Sequence, residues 1–425
     1  MLSFEPSVVF IDDKKEEVSG IINLYREEGV GVKFYNTDLI NEDDKPSNPF
    51  SNVNLIFLDL YYSTDFDYEL CVGWIDSILS ENSFYVLVIW SKDSQHRNEI
   101  IDGLSRIGKK PFLDFNETKS GYKNKNNTYD WMRLKKKIDD GINKVSELTE
   151  LSVWKKSVLT SSNVIVGHLS KDSDPEKLRV KLQKIILGHG GKAINIDNEE
   201  IRKRKILFDA LDSVLIANTK GFISNVDVSD ENKRELYKIP NTIPGDIDTK
   251  LNSWFHFKLL ENIDAEEICP GLISLSKKQF LNDIYSIQDD NNFSSTIKPQ
   301  TDSNKTITDI AVVLMRSCDF AQDKYGKNIK LLSGVLMKNP LRKDNSTKSI
   351  KTGQKYDSIK IFDHLTIEGN NDCTLIFDFR YIYSIPKSVF IKRFKNIEIF
   401  NKELLSELQV EYSSYSSRLG ITQII

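Results

Sequence analysis

The chain has 425 residues, which exceeds a single ordinary domain and predicts about three modules with substantial hydrophobic cores. No segment approaches the ~20 consecutive apolar residues of a membrane-spanning helix, so we expect a cytoplasmic protein that does not enter the membrane. The four cysteines lie far apart without a CxxC pair, so they suggest neither a disulfide framework nor a structural zinc site.

Negative charge is concentrated in the first part of the chain. Residues 1–115 contain 21 Asp and Glu against 10 Lys and Arg, whereas the formal net charge of the whole chain is only −4. The remainder is therefore mildly basic, but its lysines are too dispersed to form a nucleic-acid-binding surface. Nucleic acid is not an expected partner, and the acidic start suits a metal-binding domain.

Two short apolar runs near the start of the chain each end in carboxylates. Residues 7–11 precede Asp12 and Asp13, and residues 55–58 precede Asp59. Runs this apolar are typical of strands buried on both faces of a parallel sheet. Because parallel strands end at one edge of the sheet, where open α/β folds hold ligands, we expect the three carboxylates to converge. Their mutual repulsion predicts a divalent cation among them, and oxygen ligands favour Mg²⁺.

The next segments continue this pattern of strands and helices. Residues 84–90 form a third predicted strand, which ends at Ser91. Residues 16–27 and 70–79 lie between the strands and carry apolar side chains at helical spacing. Strands that alternate with amphipathic helices predict βαβ units in a doubly wound parallel sheet.

In order and spacing, these residues resemble the site of response-regulator receiver domains. That family has an acidic pair after strand 1, a phosphorylatable Asp after strand 3, a Ser or Thr after strand 4 and a Lys after strand 5. Asp12 and Asp13, Asp59 and Ser91 match the first three features. The resemblance covers residues 1–120 and implies a doubly wound five-stranded parallel sheet with a phosphoacceptor site.

Two lysines are candidates for the last position of the receiver pattern. Lys110 precedes a proline, as in the Lys-Pro pair of many receivers, but strand 5 would then be the polar residues 105–109. Residues 111–115 are a better strand by composition, and they place Lys119 just beyond their end. We favour Lys119 and keep Lys110 as the alternative.

The resemblance implies a phosphorelay function. Asp13 and Asp59 would ligate Mg²⁺ directly and Asp12 through water, while Asp59 would take a phosphoryl group from a histidine kinase or a phosphotransfer protein. The lysine and the metal would neutralise the phosphoryl oxygens, and the Ser91 hydroxyl would donate a hydrogen bond to them. The aromatic switch residue of such domains would be Phe115.

Two functions of other classes remain open. The first is a pseudoreceiver scaffold, which binds partners through the same acidic domain without being phosphorylated. The second is an effector with an unrecognised activity in the C-terminal half. Cys318 and His364 could suggest a catalytic pair, but nothing in the sequence supplies an orienting third group or an oxyanion-stabilising motif, so this interpretation is not favoured.

Beyond residue 120 the pattern predicts helices first and strands afterwards. Residues 121–165 predict a loop and a linker helix, whose apolar stripe either packs on its own domain or forms a stalk. Residues 166–265 predict a helical middle domain, in which His189 caps a helix and is not a metal ligand. Residues 266–425 predict a small β-rich, barrel-like domain with a terminal helix.

Two short segments of the C-terminal half resemble elements of receiver-linked proteins from bacterial defence gene clusters. They are residues 316–321 and 417–420. The resemblance implies phage defence in a two-component-like system of the Detocs type. No DNA-binding helix-turn-helix, Walker loop or cyclase motif is visible, so the expected output is a contact with a protein effector or competition for phosphoryl groups as a sink.

Overall fold

The computed structural model of the protein divides into two compact units. One comprises residues 1–157 and 225–239, and the other comprises residues 158–224 and 240–425. The residues that the structure describes are 5–38, 40, 42–62, 65–126, 128–191, 200–223, 236–241, 245–260, 262–277, 279–287, 293–296, 307–316, 319–320, 326–340 and 357–417.

A five-stranded parallel sheet forms the centre of the first unit. Its strands are β1 (Val8–Asp12), β2 (Val32–Asn36), β3 (Leu55–Leu58), β4 (Val86–Ser91) and β5 (Leu113–Thr118). They lie in the order β2-β1-β3-β4-β5, and every neighbouring pair is parallel. This is a doubly wound order in which the chain leaves β1 first to one side and then to the other.

Helices cover both faces of this sheet. They are α1 (Lys15–Glu27), α2 (Tyr68–Ile78), α3 (Arg97–Arg106), α4 (Trp131–Asn143) and the start of α5 (Ser146–Ser170). Because side chains alternate along a strand, Val9 and Ile11 of β1 pack under α2 and α3, whereas Val8 and Phe10 pack under α1 and α4. The two buried faces explain why the strands are almost wholly apolar in sequence.

Two connections of this unit depart from a regular alternation of strands and single helices. Between β2 and β3, the described residues of 37–54 contain no helix. The apolar stripe that predicts one helix over residues 130–158 is divided between α4 and α5. Its first part is buried against the sheet through Leu134, Ile138 and Leu148, while Leu151 and Trp154 are exposed.

The second unit contains helices followed by a six-stranded antiparallel sheet. The first helices are α6 (Pro175–Gly190), α7 (Glu200–Ile223) and α8 (Thr249–His256). The strands are β6 (Leu272–Ser276), β7 (Ile307–Val313), β8 (Asn328–Lys338), β9 (Ile359–Ile367), β10 (Asn370–Pro386) and β11 (Phe394–Ile399). The remaining helices are α9 (Phe280–Ile284), α10 (Phe293–Thr296), α11 (Lys387–Arg393) and α12 (Lys402–Ser416).

The antiparallel sheet curls into a half-barrel with strand order β9-β10-β8-β7-β6-β11. One face buries a cluster with α9, α10 and α11, and the other buries a cluster with α12. A salt bridge of 2.8 Å joins Lys395 on edge strand β11 to Glu368 in the turn between β9 and β10, so the curl brings the two edges together. The predicted fold class is confirmed: a doubly wound α/β sheet, then helices, then a barrel-like β-rich region with a terminal helix.

Two further observations concern the helices. His189 near the end of α6 is paired with Asp209 of α7, their Nε2 and Oδ2 atoms lying 2.8 Å apart, so this histidine joins two helices.

In the described part of the chain, no helix has both the length and the apolar character that crossing a bilayer requires.

Glu398 makes the stability of the second unit dependent on pH. Burial in β11, and secondarily the nearby Glu368, raise the pKa of Glu398 from its ordinary value of 4.5 to about 7. The ionised form of Glu398 is therefore unfavourable in the folded state. The resulting loss of folding stability is absent below about pH 4.5 and reaches its full size above about pH 7. We expect Glu398→Gln to stabilise the unit at pH 8 by about 1 kcal/mol, after allowance for solvent screening, and to have little effect at pH 4.5.

Thermal unfolding of the full chain at the two pH values measures this effect. Glu266→Gln is the matched control, because Glu266 lies exposed in a loop of the same unit. An equal shift for Glu398→Gln at both pH values would contradict the prediction.

Candidate functional site

Three carboxylates meet at the carboxyl edge of the parallel sheet. Asp12 is the last residue of β1, Asp13 follows it, and Asp59 comes directly after β3, which is paired with β1. An oxygen of each carboxylate lies within 4.8 Å of the others. Asp12 and Asp59 are only 2% and 5% exposed, and Asp13 is half-buried. The convergence follows from the parallel pairing, because both strands deliver their ends to one edge.

Backbone hydrogen bonds orient these carboxylates. The Asp59 N–H continues the ladder by donating to the Ile11 carbonyl at 2.8 Å. Its Oδ1 accepts from the N–H groups of Leu60 at 2.7 Å and Tyr61 at 3.3 Å, which leaves Oδ2 to face the cluster. Asp12 Oδ1 similarly accepts from the backbone N–H of Lys14 at 2.8 Å.

Lys119 supplies the cation of the site. It directly follows β5, and its Nζ lies 2.8 Å from Asp59 Oδ2, 3.2 Å from Asp12 Oδ2 and 2.9 Å from Glu17 Oε2. Burial acts to lower the pKa of Lys119, but the attraction of Asp12 and Asp59 outweighs it, so the pKa lies above its ordinary value. The ammonium group is therefore charged at every physiological pH.

The two most buried carboxylates resist ionisation in spite of this lysine. Burial raises the pKa of Asp12 to about 7, with repulsion from Asp59 adding to the effect and Lys119 opposing it. Burial likewise raises the pKa of Asp59, and Lys119 again opposes it. More negative charge is gathered here than one lysine offsets, which is the condition under which a divalent cation is favoured.

The donor set of the cluster suits a hard divalent cation. All three groups offer carboxylate oxygens, which Mg²⁺ and Ca²⁺ prefer over nitrogen or sulfur ligands. Opposite ligands of a Mg²⁺ ion are ~4 Å apart, so oxygens within 4.8 Å of one another need only small side-chain adjustments. Asp12, Asp13 and Asp59 could thus hold a metal ion.

Ser91 is a buried hydroxyl at the same edge. It is the last residue of β4, beside β3, and it is fully buried. Among the residues that the structure describes, its Oγ has no hydrogen-bond partner. A buried hydroxyl without a partner carries a desolvation cost that an incoming oxygen-rich group would relieve.

The structure separates the two candidate lysines. Residues up to Arg106 belong to α3, so the polar segment 105–109 is not the strand that the Lys110 alternative requires. Lys110 is exposed and precedes β5, at the edge opposite to the carboxylates, because a strand's two ends lie on opposite edges. Phe115 is half-buried in β5 and packs where Gly141 of α4 leaves space for its ring.

A cavity of about 270 Å³ opens above Asp59 and contains residues that the sequence pattern did not single out as site residues. Glu17 is one of them, and its only sequence signal is its position one helical turn after Asp13. Tyr61 is another, two residues after Asp59. The lining residues are Lys14, Glu17, Asp59, Tyr61, Lys92, Lys119, Ser120, Lys123 and Tyr129.

The candidate catalytic pair of the C-terminal half is only partly described. Cys318 lies outside the described residues, so the structure does not test a pairing with His364, which the sequence does not favour. His364 lies between two carboxylates, with Nδ1 3.4 Å from Asp372 Oδ1 and Nε2 3.8 Å from Asp363 Oδ2. Of the two segments that resemble defence-associated proteins, only residues 316, 319–320 and 417 are described.

The order of the five parallel strands, the acidic cluster and the lysine after β5 together make the first unit compatible with a receiver-like fold. No family model matches the chain, and no curated protein matches it.

Proposed function

We propose that the first unit is a phosphoryl-accepting receiver in a phosphorelay, with Asp59 as the acceptor. The observation that carries the proposal is the convergence of Asp59, two further carboxylates and Lys119 at the carboxyl edge of the sheet. The Ser91 hydroxyl on the neighbouring strand supports it independently, since it is fully buried and has no hydrogen-bond partner among the described residues. The proposed donor is the phosphohistidine of a histidine kinase or of a phosphotransfer protein in the cytoplasm.

In the proposed reaction Asp59 Oδ2 attacks the phosphorus atom of the donor. A new O–P bond forms, the P–N bond of the phosphohistidine breaks, and the imidazole leaves with its electron pair and takes up a proton. Asp59 Oδ1 stays fixed by the two backbone N–H groups that it accepts from, so the attacking oxygen is presented in one orientation.

The remaining side chains would stabilise the charge of the transferred group. Asp12, Asp13 and Asp59 would hold Mg²⁺, which supplies positive charge for the phosphoryl oxygens when it is bound. Lys119 would turn from the carboxylates to one of these oxygens, and the Ser91 hydroxyl would donate a hydrogen bond to another. That hydrogen bond would couple phosphorylation to the position of the loop after β4.

We propose a protein-interaction or phosphate-sink output, with a role in phage defence. This part rests on the resemblance of two short segments and on the absence of recognisable DNA-binding or nucleotide-hydrolysing motifs in the sequence. Gene neighbourhood is an independent test, because a phosphorelay requires a histidine kinase or a phosphotransfer partner.

A scaffold that is never phosphorylated is the second candidate. The observation that favours it is the contact of Lys119 with three carboxylates, which partly neutralises the pocket without any metal. Acetyl phosphate separates the two candidates, since it can phosphorylate a receiver without a protein donor.

For this test the full chain is incubated with acetyl phosphate and Mg²⁺, and its intact mass is measured. We expect one added phosphoryl group, and we expect chelation of Mg²⁺ with EDTA to prevent the addition. An unchanged mass in the presence of Mg²⁺, together with no response to beryllofluoride, would favour the scaffold.

A further inference from the structure

A second lysine lies beside the acceptor carboxylate on a different strand. Lys92 follows Ser91 at the end of β4, and its Nζ lies 3.7 Å from the centre of the Tyr61 ring. Lys92 and Tyr61 line the same cavity as Asp59 and Lys119. Four lysines line this cavity, and two of them directly follow strands of the sheet: Lys119 follows β5 and Lys92 follows β4.

The Tyr61 ring on which Lys92 rests is held in place relative to Asp59. Its backbone N–H donates to Asp59 Oδ1 at 3.3 Å, and its hydroxyl donates to Asp93 Oδ2 at 2.5 Å. The ring also packs edge-on against His96, with centroids 6.1 Å apart. These contacts join the loop after β3 to the loop after β4, so the platform under the Lys92 ammonium has a defined position.

Lys119 alone is poorly suited to take the whole charge of a phosphoryl group. Its ammonium already contacts Asp12, Glu17 and Asp59. A phosphoryl group brings close to two further negative charges and three acceptor oxygens into the same cavity. A second cation at the rim, resting on an aromatic ring, can reach those oxygens by rotating its flexible side chain.

We propose that Lys92 is a second cationic binding group for the phosphoryl group on Asp59, acting beside Lys119. This proposal rests on the proposed function and specifies how the product is held. Lys92 would exchange its contact with the Tyr61 ring for a phosphoryl oxygen, and the acyl phosphate would be more strongly favoured than with a single lysine.

Beryllofluoride, which mimics the phosphoryl group of an acyl phosphate, is the probe for the test. The full chain with Mg²⁺ is titrated with beryllofluoride, and tryptophan fluorescence is recorded. One of the five tryptophans reports on the site, because the Trp90 ring lies 5.5 Å from that of Tyr129, which lines the cavity. We expect Lys92→Gln to weaken binding about threefold to tenfold, and the loss to shrink at high salt.

Two variants separate charge from structure. Lys92→Arg keeps the positive charge and is expected to bind within about twofold of the native chain. Lys110→Gln is the matched control, since it removes the same charge from an exposed lysine at the opposite edge and is expected to have no effect. Tyr61→Leu removes the platform without removing a charge and is expected to cause a smaller loss than Lys92→Gln.

The outcomes distinguish failure of this proposal from failure of the proposed function. If the native chain binds beryllofluoride and the Lys92→Gln and Lys110→Gln variants bind it with equal affinity, the proposed role of Lys92 is wrong, while the proposed receiver function is not affected. An arginine variant as weak as the glutamine variant would also overturn it, since charge would not be the cause. If the native chain binds no beryllofluoride in Mg²⁺, the proposed function fails and this proposal fails with it.

Discussion

Replacing Asp59 by asparagine is expected to abolish phosphoryl acceptance without destabilising the protein. Asparagine has nearly the same shape, but its amide lacks the nucleophilic carboxylate oxygen that faces Lys119. Burial raises the pKa of Asp59 in spite of Lys119, so the ionised form is disfavoured in the folded state. Its neutral replacement should therefore be at least as stable as the native protein at neutral pH when no metal is present.

Two measurements on one protein preparation test this expectation. Intact mass after incubation with acetyl phosphate and Mg²⁺ should show the added group in the native chain and none in Asp59→Asn. Thermal unfolding in EDTA should show an equal or higher midpoint for the variant. Asp102→Asn is the matched control, because Asp102 is exposed on α3. Phosphoryl addition that persists in Asp59→Asn would place the acceptor elsewhere.

Replacing Lys119 by methionine is expected to destabilise the first unit by about 3 kcal/mol in the absence of metal. The side chain is 12% exposed and contacts three carboxylates, and its removal leaves buried negative charge without a partner. Methionine has a similar length, so lost packing contributes little. Mg²⁺ should restore part of the lost stability, because it supplies positive charge to the same oxygens.

The effect of Lys119→Met should also depend on pH in a defined direction. Asp12 already has a pKa of about 7, well above its ordinary value of 3.8, and loss of the lysine removes an interaction that lowers it. A carboxylate whose pKa is raised by folding does not lower the free energy of unfolding at a pH where it is protonated in both the folded and the unfolded state. It lowers that free energy most where it is ionised in both states. The destabilisation should therefore be small near pH 4 and largest above pH 7.

Thermal unfolding at several pH values, with EDTA and with Mg²⁺, measures both effects. Lys110→Met is the control, because that lysine is exposed and lies at the amino end of β5. Equal effects of the two lysine substitutions would contradict the assignment of Lys119 to the site.

Local pattern was sufficient for four of the five strands of the parallel sheet and for its carboxylates, but it did not locate β2. Fully apolar runs that end in Asp12 and Asp59 indicate buried parallel strands, and buried parallel strands leave no other edge for those side chains. The order of elements along the chain also predicted the change from helices to antiparallel strands after residue 266. These features depend on neighbours in sequence, which is why composition and periodicity capture them.

The exact ends of strands were harder to predict from the sequence pattern. Whether Lys110 or Lys119 reaches the cluster depends on where strand 5 begins, and the polar segment before it consists of the end of α3 and the turn that follows. In the second unit, β6 and β11 were missed, because each is short and their pairing with each other brings distant segments together. Such pairing joins residues more than a hundred positions apart, and local propensity carries little information about it.

The amino-acid sequence by itself determined that this protein has a doubly wound sheet with carboxylates at one edge, because alternation of side chains and burial on both faces act within a few residues. Only the tertiary structure decided which other charged side chains line the cavity beside Asp59 and Lys119. Lys92 follows β4 and Glu17 lies in α1, and their position at this edge depends on strand order and on where β4 ends. Long-range packing sets those distances, so no local pattern could contain them.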